Sequence, residues 1–170
     1  MTPSDRPGRP LDVGARRFAI VSPNFYPRTC GVGDHSVRLA DELIRRGHTA
    51  SVFSRLPAEP HPALPDIGFT GAPGDRPLAV ARGLWPRLRD ARPTDVLIQY
   101  TAQMWGASRL GSPGVPWLAA QAKRAGARVT LIAHELYTAF DARPDLWPGA
   151  VLSRAQLAGA LASCAFGFVT

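Results

Sequence analysis

The sequence predicts an α/β fold, a parallel sheet with helices on both faces, and three observations carry that prediction. Short apolar runs recur at 18–21, 49–54, 95–100, 128–133 and from 165 to 170. Their apolar centres, such as Ala19-Ile20-Val21 and Val96-Leu97-Ile98, are continuous rather than alternating, which marks strands covered on both faces. Segments with helical spacing stand between most of them, so the sheet is parallel with right-handed crossovers. In such a sheet a ligand sits at the carboxyl ends of the strands, near the point where strand order reverses. The loops at that rim are 23–33, 55–77, 101–114 and 134–148.

Residues 1–16 are polar and rich in Pro, Gly and Arg, and are expected to form a disordered lead-in to a domain spanning 17–170. The first strand ends at Ser22-Pro23, and a loop of about ten residues follows. Asp34 is placed to cap the next helix, whose apolar positions Val37, Ala40, Leu43 and Ile44 share one face. Arg45 and Arg46 suit the negative end of its dipole, and Gly47 supplies the left-handed stop before the second strand. Between Leu56 and Pro77 stand six prolines (57, 60, 62, 65, 73, 77) and three glycines (68, 71, 74), which excludes a regular helix or an inner strand. A helix over 78–90 would turn Leu84, Trp85 and Leu88 inward, with a kink or restart at Pro86. After the strand at 95–100 comes a glycine-rich loop, a helix over 115–125 ending Lys123-Arg124-Ala125-Gly126, and the strand at 128–133. A last helix over 150–163 leads into the final strand.

With 170 residues, 45% of them hydrophobic, the chain can bury one core and is short for two domains. Cys30 and Cys164 form no disulfide framework, and a reducing, cytoplasmic location is expected. No apolar run reaches the ~18–20 residues that cross a bilayer, and the opening MTPSDRPGRPLDVG lacks the apolar centre of a secretory signal. The net charge is +7, with Lys123 the only lysine. So complete an arginine bias fits coding composition as well as function, and no nucleic-acid partner is expected, because interleaved aromatics and a single basic face are missing.

Gly31-Val32-Gly33 exposes backbone amides at a helix start, where a phosphate or a sugar hydroxyl could be held; alternatively, the glycines only make a tight turn. A dinucleotide fingerprint is not matched. Ser22 lies nine positions before Gly31, Ser36 stands at the third glycine place, and the second strand ends Ser54-Arg55 without an acid. Arg28 and Tyr26 are candidates to hold phosphate or stack on a ring. Gln99 and Tyr100 end the third apolar strand, while Trp105 and Trp147 fall in rim loops and Trp117 in a helix. His35, His48, His61 and His134 are too scattered to suggest a metal.

The loop PNFYPRTC, the Gly-x-Gly-Asp turn, LADELIRRGHTASVFS, PTDVLIQY and VTLIAHELY, in that order, resemble the N-terminal domain of nucleotide-sugar glycosyltransferases of the two-domain GT-B fold, family 4 in particular. The likeness runs from Arg17 to Thr170. It implies a Rossmann-like acceptor-side domain of a retaining glycosyltransferase, with a C-terminal donor-binding domain absent from this sequence and the fragment inactive alone. It also implies that Gly31 and Gly33, with Val32 and Asp34 of the same turn, lie near the donor diphosphate and the acceptor, and that His134 is catalytic, with Glu135 orienting it or binding a hydroxyl. Arg28, His35 and Tyr100 are further substrate-binding candidates by position; the alternatives are a solvated residue for Arg28 and His35 and a core residue for Tyr100. The ligands implied are a nucleotide sugar and a sugar, lipid or small-molecule acceptor, with no bound metal and no cofactor, and the setting implied is cell-envelope or exopolysaccharide synthesis. Without the resemblance, a histidine at a strand exit reads as structural. The other readings are a stand-alone binding module and an NADP-dependent oxidoreductase. Finally, Arg82, Arg87, Arg89 and Arg92 around Leu84, Trp85 and Leu88 raise the expectation of peripheral contact with an anionic membrane.

Overall fold

The computed structural model describes residues 14–28, 30–55, 59–62, 64, 68–71, 76–102, 104–105, 112–135 and 147–169. The elements are β1 (Arg17–Ser22), α1 (Gly31–Arg45), β2 (Thr49–Ser54), β3 (Gly68–Gly71), α2 (Pro77–Asp90), β4 (Asp95–Tyr100), α3 (Gly114–Arg124), β5 (Arg128–Ala133), α4 (Trp147–Ser163) and β6 (Phe166–Val169). All six strands are parallel, in the order β3-β2-β1-β4-β5-β6. Strand order therefore reverses between β1 and β4, where Val21 pairs with Ile98. The expected doubly covered parallel α/β sheet is what forms. The proposed lead-in lies almost wholly outside the described residues.

One strand was hidden by its surroundings. β3 is four residues between glycines in the proline-rich stretch, and it pairs only with β2 at the sheet edge, where prolines nearby break no inner ladder.

The two faces of the sheet are covered unequally. Ala19, Val21, Val96, Ile98, Val129 and Leu131 pack with Leu84 and Leu88 of α2, Leu118 and Ala119 of α3 and Leu157 of α4. Ile20, Val52, Leu97 and Ile132 form the other core with Phe25 and Ala40, supported by the half-buried Val37 and Leu43. Among the described helices only α1 lies on this second side. Ile44, expected on the buried stripe, sits in the last turn, where that packing runs out, and is 40% exposed.

Helix α1 starts earlier than expected. Cys30 is the N-cap, its Sγ accepting from Gly33 N at 3.2 Å, and Asp34 N–H bonds back to Cys30 O at 2.9 Å. Asp34 is thus already inside the helix and caps nothing. The end is as expected: Gly47 has φ +81, Gly47 N donates to Ile44 O and His48 N to Leu43 O, a Schellman closure.

Helix α2 runs unbroken through Pro86, which is exposed, so the carbonyl it leaves unbonded faces water. Leu84 and Leu88 are buried and Trp85 packs half-buried on the same core. The apolar side that suggested a membrane contact is therefore spent inside the domain. Among the described residues, no helix is long and apolar enough to cross a membrane. At the end of α2, Arg92 occupies the left-handed closing position with φ 45. A non-glycine residue there costs about 1–2 kcal/mol, partly offset by the backbone freedom glycine would lose on folding. Arg92→Gly is expected to raise stability by about 0.5–1 kcal/mol in urea denaturation, because Arg17 Nε bonds the Arg92 backbone carbonyl and keeps that bond. A lowered midpoint would contradict it.

Helix α4 begins at Trp147, three residues before the expected start, so that tryptophan belongs to a helix rather than a loop. Its outward side carries Trp147, Val151 and Leu161, 49%, 57% and 44% exposed, and Arg154 is its one charged residue.

Candidate functional site

The carboxyl rim at the strand reversal is built from the exits of β1, β4 and β5 and the first turns of α1. Ser36 Oγ donates to Val32 O at 2.8 Å and lies 3.3 Å from Ser22 Oγ, while Ser22 Oγ donates to Asn24 O at 2.6 Å. This buried hydroxyl pair pins α1 against the end of β1. Neither glycine of the Gly-x-Gly pair has a positive φ, so both belong to the first helical turn and not to a tight turn. They differ in purpose. A Cβ on the buried Gly33 would lie 3.4 Å from Cys30 Sγ and 3.7 Å from the carbonyls of Arg28 and Asn24, whereas one on the exposed Gly31 would meet nothing within 4 Å. Among the described residues, the N–H groups of Gly31 and Val32 have no acceptor, and they stand at the positive end of a 15-residue helix.

On the β4 side of α1, three side chains meet. His134, just past β5, has its backbone N–H on Tyr100 O at 2.9 Å, which ties it to β4. Its Nε2 lies 2.6 Å from Gln99 Oε1, and its ring meets that of His35 edge-on, with centroids 5.2 Å apart. Partial burial, and then the neighbouring His35, push the His134 pKa below the usual histidine range, against an opposing pull from Glu135. The ring is therefore neutral near pH 7. Glu135 itself is exposed. At this rim Asn24 Oδ1, His35 Nδ1, Gln99 Nε2 and Thr101 Oγ1 are buried without hydrogen-bond partners among the described residues.

The other expected residues divide. Tyr26, Arg28, Gly33, Asp34, Val37 and His61 line a cavity of about 230 Å³ beside the α1 start, whose walls include neither His35 nor His134. Tyr26 stacks edge-on with His61 at 5.1 Å, and Arg28 is exposed. Tyr100, expected to bind substrate, is fully buried in the core on the α2–α4 side, so it is corrected to a packing residue. Strand alternation is the reason: neighbours point to opposite faces, so only one of Gln99 and Tyr100 can reach the α1 side, and it is Gln99. Trp105 is buried with Nε1 on Gln99 O at 3.2 Å, and Trp117 is half-buried against the core. Asn24, Thr101 and the Cys30 cap were not singled out by sequence, and only their position at strand exits could have flagged them. A larger cavity, about 510 Å³, lies at the opposite, amino end of the sheet between Arg17, Trp85, Arg89 and Arg92. It holds none of the rim residues.

No protein-family model and no curated protein matches this chain. Among solved structures it superposes on an alpha-glucosyltransferase in complex with UDP and a 13-mer DNA containing an HMU base, with a TM-score of 0.52 and 15% identity. The match takes in 92% of this chain and 38% of that one. At such identity the likeness speaks for architecture: this chain folds as a Rossmann-like α/β domain of the kind found in a glucosyltransferase.

Proposed function

We propose that this chain is the acceptor-side half of a nucleotide-sugar glycosyltransferase, working with a separate donor-binding domain. One observation carries the reading: among the described residues, Asn24 Oδ1, His35 Nδ1, Gln99 Nε2 and Thr101 Oγ1 are buried without partners at the strand exits and α1 start where His134 meets His35, beside uncapped helix amides. Buried donors and acceptors left unbonded cost about 1–3 kcal/mol each, a cost a hydroxyl-rich ligand would relieve. The Gly31 and Val32 amides suit a diphosphate. In this reading His134 lies at the reacting centre and Glu135 balances its charge. Retaining stereochemistry, family 4 membership, a cytoplasmic setting and a role in envelope polysaccharide synthesis belong to the same proposal. The glucosyltransferase complex supports it by holding UDP, and because that complex also contains DNA, nucleic acid belongs among the acceptors to be tried.

The test is NMR titration of the 170-residue chain with UDP- and GDP-sugars, with NADPH as the competing ligand. Shifts are expected at Gly31, Val32, His35, Gln99 and His134. Because a Cβ at position 31 meets nothing, Gly31→Val should leave stability within about 0.5 kcal/mol and weaken binding at least tenfold. Response to NADPH alone, or shifts confined to Arg17, Trp85 and Arg92, would refute the transferase.

A further inference from the structure

We propose that Gln99 is a positioning residue that fixes the tautomer and orientation of His134 and holds a carboxamide N–H pair ready for a ligand. The use of the ring rests on the transferase reading; the geometry does not. Gln99 is fully buried at the end of β4, with its Oε1 2.6 Å from His134 Nε2. A carboxamide oxygen has no proton to give, so it accepts, and the imidazole proton resides on Nε2. Nδ1 is then the unprotonated nitrogen of the neutral ring. His35, on α1, holds the same ring edge-on, with an interplanar angle of 79°. Among the described residues, His35 and Glu135 are titratable groups acting on His134.

The far end of the carboxamide supplies the second half of the argument. Gln99 Nε2 is buried and has no partner among the described residues. Methionine would fill similar space without burying an N–H pair. A residue whose oxygen must face His134 has to carry the nitrogen as well. The unbonded N–H pair accompanies the oxygen that meets His134, and it adds two donors to the rim.

The experiment is a long-range ¹H–¹⁵N correlation of the histidine rings in the 170-residue chain, for wild type, Gln99→Met and Gln99→Glu. Wild type is expected to show His134 protonated on Nε2. Gln99→Met removes the acceptor and should give a mixture of tautomers. Gln99→Glu places a carboxylate against Nε2 and should raise the His134 pKa by about one unit or more. A wild-type ring protonated on Nδ1 overturns the proposal, even if both variants fail to fold. So does a tautomer and pKa unmoved in both variants, the result a purely structural glutamine would give. Adding UDP-glucose to the same sample tests the transferase separately: no response alongside an Nε2–H ring removes the transferase and leaves the positioning role standing.

Discussion

Gly114→Ala is expected to lower stability by about 3 kcal/mol or more, because the added methyl meets the tightest surroundings of any described glycine. A Cβ there would sit 2.2 Å from the Pro77 carbonyl oxygen and 2.9 Å from Ala81 Cβ. Neither neighbour is a flexible side-chain tip. The first is backbone at the start of α2, and the second is held within that helix. To admit the methyl, α2 and α3 must separate where they pack most closely, loosening Val80, Leu84, Val115 and Leu118 in the shared core. Overpacking of a rigid contact costs about 1–3 kcal/mol and sometimes more. Against a total of about 5–15 kcal/mol, that is a large share. Urea unfolding of the two proteins measures it, and a loss below about 1 kcal/mol would mean that α3 does not begin against α2 in this way.

The second large effect is a loss of stability in alkali. Tyr100 is fully buried with a hydroxyl that bonds to none of the described residues, and burial pushes its pKa from 10.0 up to about 12. Below pH 10 the phenol is protonated in both folded and unfolded chains, and its contribution is complete. Between pH 10 and 12 the unfolded chain ionises while the folded one does not, so stability falls, by about 2–3 kcal/mol in all. Cys164, also raised by burial, to about 11, starts a smaller decline from pH 9. Tyr100→Phe should remove the upper part of this decline and add about 1 kcal/mol at neutral pH by deleting the unbonded hydroxyl. A decline unchanged in Tyr100→Phe would show that the phenol is not the group responsible. In the opposite direction, His134 has a lowered pKa, so its contribution is present above the ordinary histidine range and fades as pH falls below it.

Much of the fold was legible because its signals are local. Continuous apolar runs placed five strands, and Gly47 closed α1 through a conformation that only glycine adopts freely. What sequence could not read was tertiary. β3 is held by its pairing with β2, not by composition, and Cys30 outcompeted Asp34 as a cap because the chain leaving β1 brought its sulfur to the Gly33 amide. At the site, the strand exits and glycines were visible, as was His134. The choice between Gln99 and Tyr100 needed strand phase, and the unbonded atoms of Asn24 and Thr101 needed coordinates.

Helix α4 has a practical consequence for anyone handling the isolated chain. Its outward side is apolar, and among the described residues no strand pairs with the outer edge of β6, the strand that follows it. An apolar flank and an open sheet edge favour adhesion between molecules as they are concentrated, so any affinity measured at a single dilution will mix ligand capture with clustering.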